Sequence, residues 1–118
     1  MKILMIVNAP AYGSERMLSA LRLATALIAQ ASERVELSLF MMSDAVTVGL
    51  PGQAPSDNRG SLQEMVVELV NRGASIRLCR TCALARGLAE LPLIPGTRIG
   101  TLPELAQSTL WADKVLTF

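Results

Sequence analysis

Apolar residues recur along this chain with two alternating periods, one typical of buried strands and the other of amphipathic helices. Residues 2–8, KILMIVN, form a near-continuous apolar run, as expected for a strand covered on both faces. After the turn APAYG, Ser14 is placed to cap a helix, with Glu15 in its first turn. The predicted apolar stripe of this helix is Met17, Ala20, Leu21, Ala24, Leu27, Ile28 and Ala31.

The alternation of strand and helix continues through the middle of the chain. Residues 34–42, RVELSLFMM, alternate in the manner of a second strand, and residues 43–49 predict a short helical turn. Residues 51–60 contain two prolines and two glycines without periodicity, which predicts a loop. A capping box at 61–64 opens a helix that Gly73 ends. Its predicted buried face is Leu62, Met65, Val66, Leu69 and Val70.

The last part of the chain follows the same order. Residues 74–79 predict a third strand, and residues 81–87 a short helix. Residues 91–100 are irregular and include a brief strand, after which a second capping box, TLPE, opens a helix to about residue 112. Residues 114–118 predict a closing strand.

This order of elements predicts the fold class. At 118 residues the chain has the size of one domain, which we expect to span 1–118. Alternating strands and helices predict an α/β fold, a mainly parallel sheet with helices on both faces. Chemistry in such sheets gathers at the carboxyl ends of the strands, here at 9–13, 43–49 and from Cys79 onward.

Composition adds an expectation about assembly. The chain is 51% hydrophobic and only 3% aromatic, with a mean hydropathy of +0.40. A small domain cannot bury that much apolar surface alone, so we expect a homo-oligomer.

Charge and segment length argue against two classes of partner. The formal net charge is +1, which gives no broad field for nucleic acid or anionic lipid. The apolar run 3–7 is shorter than the roughly 7–15 residues of a signal-peptide core, and no run reaches the roughly 18 residues of a membrane span. We therefore expect a cytosolic protein that binds neither membrane nor nucleic acid directly.

Cys79 and Cys82 are the only cysteines, and arginines flank them. A structural zinc needs about four ligands and the chain has no histidine, so we predict no metal site. Phosphate-loop and dinucleotide motifs are also missing from the sequence, and we predict no cofactor.

The position of the pair instead favours thiol chemistry. A Cys-x-x-Cys between a strand and a helix places the first sulfur near the helix amides, which lowers a thiol pKa from about 8.5 to roughly 3.5–7.5. Arg80 adds positive potential, whereas strand alternation can direct Arg77 elsewhere. The alternative is that Cys79 and Cys82 are small buried hydrophobes.

Three further residues are candidates at the same edge of the sheet. Tyr12 precedes a helix and is placed to contact an anion or a partner, or else belongs to a plain strand-to-helix turn. Asp44 either orients a neighbouring group or caps the turn that follows. Arg86 either steers a persulfide or an acidic partner, or is an exposed helix residue.

The spacing of Cys79 from Arg86 and Gly87 resembles that of the DsrE/DsrF-like family of sulfur-relay proteins. The segments NAPAYGSE, LFMMSDAVTVGL, LCRTCALARG and IGTLPELAQSTLWADKVLTF also agree with its small stand-alone YchN-like members. The resemblance covers essentially the whole chain. It implies a three-layer α/β/α fold with a five-stranded sheet, and a homo-oligomer that is commonly a trimer or a hexamer.

The resemblance also implies a function. In sulfur-transferring members, the cysteine that corresponds to Cys79 accepts sulfur as a persulfide and passes it to a partner protein, as a sulfurtransferase does. Cys82 then serves as an auxiliary or resolving thiol. Two alternatives stay open: a dithiol redox protein that uses both cysteines, and a non-catalytic assembly module in which both are inert.

Overall fold

A computed structural model describes residues 1–31, 33–54 and 61–118. It contains one five-stranded sheet, and every neighbouring pair of strands is parallel. The strands are β1 (Lys2–Val7), β2 (Glu36–Met41), β3 (Ser75–Cys79), β4 (Thr97–Gly100) and β5 (Lys114–Thr117). Their spatial order is β4-β3-β2-β1-β5. The predicted five-stranded α/β fold is confirmed.

Four α-helices and one 3₁₀ helix connect these strands in the described residues. They are α1 (Arg16–Gln30), the 3₁₀ helix (Ser43–Gly49), α2 (Leu62–Asn71), α3 (Arg80–Ala85) and α4 (Leu102–Trp111). Strands β1 to β4 advance in one direction across the sheet, whereas β5 lies on the far side of β1. Right-handed crossovers therefore place α1 and α2 on one face and α4 on the other, which gives three layers.

The centre of the sheet is buried on both faces. In β2 every residue from Leu37 to Met41 is buried, including the polar Ser38. The alternation read from the sequence of this strand thus does not separate an inner from an outer face, because helices cover both. Phe40, the largest of the fully buried side chains, lies in the middle of this core.

The amino-terminal cap matches the sequence prediction in α4 and differs from it in α1 and α2. At α4 the capping box is complete, since Thr101 Oγ1 accepts from Glu104 N at 3.4 Å and Glu104 Oε1 accepts from Thr101 N at 3.3 Å. At α2 the Ser61 hydroxyl accepts from Gln63 N instead, one residue earlier than the predicted box. Helix α1 begins at Arg16, one residue after Glu15, which the sequence placed in its first turn.

Three remaining predictions concern the connections. Helix α3 begins at Arg80, one residue earlier than predicted, because Cys79 itself is the N-cap residue. The brief strand expected within 91–100 is β4. Of the loop predicted over 51–60, residues 55–60 lie outside the described residues.

A groove of about 950 Å³ opens on the α4 side of the sheet. Its lining includes Ser38, Ser75, Arg77 and Trp111, which lie toward the amino ends of the strands or on α4. Neither cysteine contributes to this lining. The groove is therefore separate from the thiols.

Candidate functional site

The candidate site lies where β2 and β3 end. Strand β3 ends at Cys79, which is also the N-cap residue of α3, and Cys82 lies in the first turn of that helix. The 3₁₀ helix follows β2 and packs against both β3 and α3. Parallel strands bring these two connections to the same edge of the sheet, as the sequence predicted.

Cys79 is the more deeply placed of the two cysteines. It is 5% exposed, whereas Cys82 is half-buried, and both are free thiols. The Cys79 sulfur accepts a hydrogen bond from the amide of Cys82 at 3.5 Å. This is a capping contact, in which the sulfur takes the place of the oxygen of an ordinary cap residue.

Burial raises the pKa of the Cys79 thiol above its ordinary value. The neighbouring Cys82 thiol raises this pKa further, through a side-chain hydrogen bond and through its charge when ionised. The amides of Cys82 and Thr81 lower the pKa, but by less. The lowered pKa expected from the sequence is therefore wrong in sign, because burial and the neighbouring Cys82 thiol together outweigh the helix amides.

Cys82 has a separate backbone donor. The amide of Ser43 donates to its sulfur at 3.1 Å. Ser43 has a φ of 53°, and among the described residues other than glycine it is the only one with a positive φ. A serine in the left-handed region is uncommon, since its Cβ crowds the backbone there. The chain thus turns sharply after β2, and the Ser43 amide faces the second thiol.

Arg86 joins this turn to α3 with three hydrogen bonds. Its Nε donates to Asp44 Oδ1 at 2.9 Å, its Nη1 to the Cys82 carbonyl oxygen at 3.1 Å, and its Nη2 to Ser43 Oγ at 3.4 Å. The planar guanidinium suits three simultaneous hydrogen bonds, because its five N–H groups point in fixed directions. Asp44 is thus an ion-pair partner and not the cap of the 3₁₀ helix, whose N-cap residue is Met42.

The other arginines near the cysteines have different surroundings. Arg80 is exposed at the first position of α3. Arg77 forms an ion pair with Glu104 of α4 at 3.2 Å, so its charge is directed to the α4 side, as strand alternation allowed. The cation that holds the two connections together is Arg86.

Tyr12 has a partner in α2. Its hydroxyl oxygen accepts from the amide of Leu62, the first residue of that helix, at 3.0 Å. The neighbouring Ala11 amide donates to Thr47 Oγ1 in the 3₁₀ helix at 3.2 Å. These contacts tie the loop after β1 to α2 and to the 3₁₀ helix, and a role for Tyr12 at the thiols stays a prediction.

Ser43 belongs to the site although its sequence position did not predict it as a member. It is a polar residue directly after a strand, a common position for a turn, and nothing in its identity indicates a positive φ. The available signal was topological, since 43–49 was expected at the same edge as Cys79.

The described residues also bear on two other kinds of site. They contain no group of three or more histidine, cysteine, aspartate or glutamate side chains arranged to hold a metal ion. None of the helices in these ranges has the length and apolar character needed to cross a membrane.

Comparison with known proteins agrees with this architecture. The model of the DsrE/DsrF-like family matches residues 1–118. Protein YchN of Escherichia coli K12 is 51% identical over 99% of this chain and 98% of its own length. The crystal structure of YchN from E. coli superposes with a TM-score of 0.93 over 99% of this chain and 98% of its own. Sulfurtransferase TusD of Salmonella typhi is 29% identical over the whole of both chains.

Proposed function

The chain belongs to the DsrE/DsrF-like family, and from that premise we propose that it is a sulfur-relay protein that stores sulfane sulfur as a persulfide on Cys79. The observation that carries this proposal is the placement of Cys79. It ends an interior strand of the sheet at the edge where α/β proteins do their chemistry, and its sulfur accepts a hydrogen bond from the amide of Cys82, the residue that carries the second free thiol. The similarity to a sulfurtransferase, TusD, supports the same reaction class.

The burial of Cys79 suits storage. A persulfide loses its outer sulfur to any thiolate that reaches it, so a long-lived store needs protection from small thiols in solution. Cys79 is 5% exposed and backed by α3. Sulfur held there is shielded until a partner protein or a local opening exposes it.

We also propose a homo-oligomer, a trimer or a hexamer, that acts in the cytosol and exchanges sulfur with a donor or acceptor protein. Unpaired cysteines fit a reducing compartment. Large apolar side chains that remain exposed, such as Leu110 at 89%, support assembly.

The test is a loading experiment with a chase. The protein is treated with glutathione persulfide, freed of donor, exposed briefly to glutathione, alkylated and digested with trypsin. Cleavage after Arg77, Arg80 and Arg86 puts Cys79 and Cys82 on different peptides. We expect one sulfur that survives the chase, on the Cys79 peptide of the parent, and none that survives in Cys79→Ser. A parent without chase-resistant sulfur, or a Cys79→Ser variant that retains as much as the parent, contradicts the proposal.

A dithiol redox function is the second candidate, favoured by the position of two free thiols at the start of one helix, where the Cys79 sulfur accepts from the Cys82 amide at 3.5 Å. If Cys82 attacks the inner sulfur of a Cys79 persulfide, sulfide leaves and a disulfide forms. In the intact mass, measured after removal of the donor and before the glutathione chase and digestion, that reaction appears as a loss of two hydrogens with no retained sulfur. A third reading, an assembly module with inert thiols, predicts no change in mass.

A further inference from the structure

The two thiols are unequal in a way that the storage function alone does not explain. Cys79, the proposed store, is nearly inaccessible and its thiol resists ionisation, because burial disfavours the thiolate. Attack on a donor persulfide requires a thiolate that can reach the donor. Cys79 is thus well placed to keep sulfur and poorly placed to collect it.

Cys82 differs from Cys79 in its exposure and in its backbone donor. It is half-buried, so solvent reaches part of it, and its amide donates to the Cys79 sulfur at 3.5 Å. Its sulfur also accepts the Ser43 amide at 3.1 Å, a donor from a different segment of the chain. An N–H directed at a sulfur stabilises negative charge on that atom.

We propose that sulfur enters the site on Cys82 and then passes to Cys79, with Arg86 as a positioning residue that keeps the Ser43 amide on the Cys82 sulfur. This inference rests on the proposed storage of sulfur at Cys79 and adds the route by which it arrives.

The first step is attack of the Cys82 thiolate on the outer sulfur of a small persulfide. A new sulfur–sulfur bond forms to Cys82, the bond within the donor breaks, and the donor leaves as a thiolate. The terminal hydrogen stays on the transferred sulfur, so Cys82 becomes a persulfide.

In the second step Cys79 attacks that outer sulfur. The bond to Cys82 breaks, its electron pair returns to the Cys82 sulfur, and the proton lost by the Cys79 thiol balances the proton gained by Cys82. One thiol and one persulfide exchange places, so neither step needs an oxidant or a reductant.

The Ser43 amide acts in the second step. There the Cys82 sulfur is the leaving group and takes up negative charge, which the 3.1 Å hydrogen bond stabilises. Arg86 reaches this amide indirectly, through Asp44, Ser43 Oγ and the Cys82 carbonyl oxygen. The three hydrogen bonds of Arg86 fix the segment after β2 against the helix that carries Cys82. Loss of Arg86 therefore frees the Ser43 amide to move away from the Cys82 sulfur.

The experiment follows the two tryptic peptides through time during loading with glutathione persulfide, before any chase. In the parent, sulfur is expected on the Cys82 peptide first and on the Cys79 peptide later. In Cys79→Ser it stays on the Cys82 peptide while donor is present. In Cys82→Ser the Cys79 peptide should load more slowly by about tenfold or more, since only the buried thiol remains.

The outcomes separate this route from the storage function. If Cys82→Ser loads Cys79 at the parental rate, the entry route is wrong while storage at Cys79 stands. If the parent never gains chase-resistant sulfur on Cys79, the storage function fails whatever Cys82 does.

The role of Arg86 is tested by the ratio of Cys82 to Cys79 persulfide at early times. Loss of a charge-assisted contact should slow the second step by about tenfold in Arg86→Gln, so Cys82 persulfide accumulates. Asp44→Asn, which leaves Arg86 in place, should raise the ratio less. Arg22→Gln, the same change at an exposed position of α1, is the matched control. A ratio in Arg86→Gln equal to that control overturns the positioning role, and circular dichroism verifies that the variants are folded.

Discussion

Two opposing effects act on the pKa of the Cys79 thiol. The amides at the start of α3 favour its thiolate, and burial together with the Cys82 thiol favours its neutral form. The second effect is larger, because the cost of removing a charged sulfur from water and the neighbouring Cys82 thiol together outweigh the two amides. The reactivity of this thiol is therefore governed by its depth in the fold.

The first prediction concerns the pH dependence of alkylation at Cys79. Only the thiolate reacts, so a raised pKa delays reaction to higher pH, and the midpoint for the Cys79 peptide should lie above that of an exposed cysteine. Iodoacetamide labelling followed by peptide mass spectrometry measures it.

The Cys82→Ala variant supplies the control for this profile. It removes the neighbouring thiol that raises the pKa of Cys79 but leaves the burial, so the midpoint should fall below that of the parent. A parent midpoint no higher than that of an exposed cysteine contradicts the raised pKa of Cys79.

At the same scale, identity and spacing indicated which residues belong to the site but not their contacts. Asp44 and Arg86 were both named from the sequence, yet the 2.9 Å ion pair between them joins residues 42 positions apart. The hydrogen bond from Ser43 depends on a backbone angle that serine rarely adopts. Such contacts arise from the packing of the 3₁₀ helix on α3, which a residue-by-residue pattern does not contain.

Among the elements, α4 offers a direct test of a cap. Thr101→Ala removes the side chain that accepts from Glu104 N and should destabilise the protein by about 1 kcal/mol. Thr109→Ala on the same helix is the matched control. Its hydroxyl donates to the Leu105 carbonyl within the helix, so this change should be neutral or slightly stabilising. Urea unfolding of both variants measures the difference, and equal losses would argue against the cap.

Strand β4, which precedes α4, contains a glycine whose replacement should strain the sheet. A Cβ on Gly100 would lie 2.9 Å from Phe40 Cε2 and 3.0 Å from Arg77 Cβ. Gly100→Ala should therefore cost about 1–3 kcal/mol of unfolding free energy, because a packed core resists added volume.

A double-mutant cycle identifies the cause of that loss. In a Phe40→Leu background the ring is gone, and Gly100→Ala should cost less than in the parent. An unchanged cost would mean that Phe40 is not the obstacle. Since Gly100 pairs with Cys79 across the β3–β4 ladder, the same strain would reach the candidate site.

The order of the elements could be predicted from the sequence because the spacing of apolar residues agreed with the residues that begin and end helices. The Thr101 box and the glycine at position 73, with its φ of 92°, mark helix ends as predicted. The burial of β2 on both faces was less evident, since its sequence alternates like that of a strand with one exposed face. In the sheet, β5 lies beyond β1 and not beside β4, so the connection from β4 to β5 crosses back over the sheet. Only this property of the whole sheet places a helix layer on its second face.

On the scale of the whole molecule, the exposed apolar side chains predict assembly. Leu84, Leu102 and Leu110 are 55%, 65% and 89% exposed in the single chain. We expect light scattering at micromolar concentration to give the mass of a trimer or a hexamer, with dissociation on dilution. A monomer over that whole range contradicts the expectation.

The place of β1 in the sheet has a consequence for how the protein is made. β1 lies between β2 and β5, so one of its edges is covered only by residues 114–117. A ribosome must translate more than a hundred residues after β1 before that neighbour exists. Throughout this interval an apolar strand keeps an open edge, the kind of surface that chaperones bind and that aggregates when translation stops early. Nascent chains that stall before β5 are therefore the form of this protein most in need of protection in the cell.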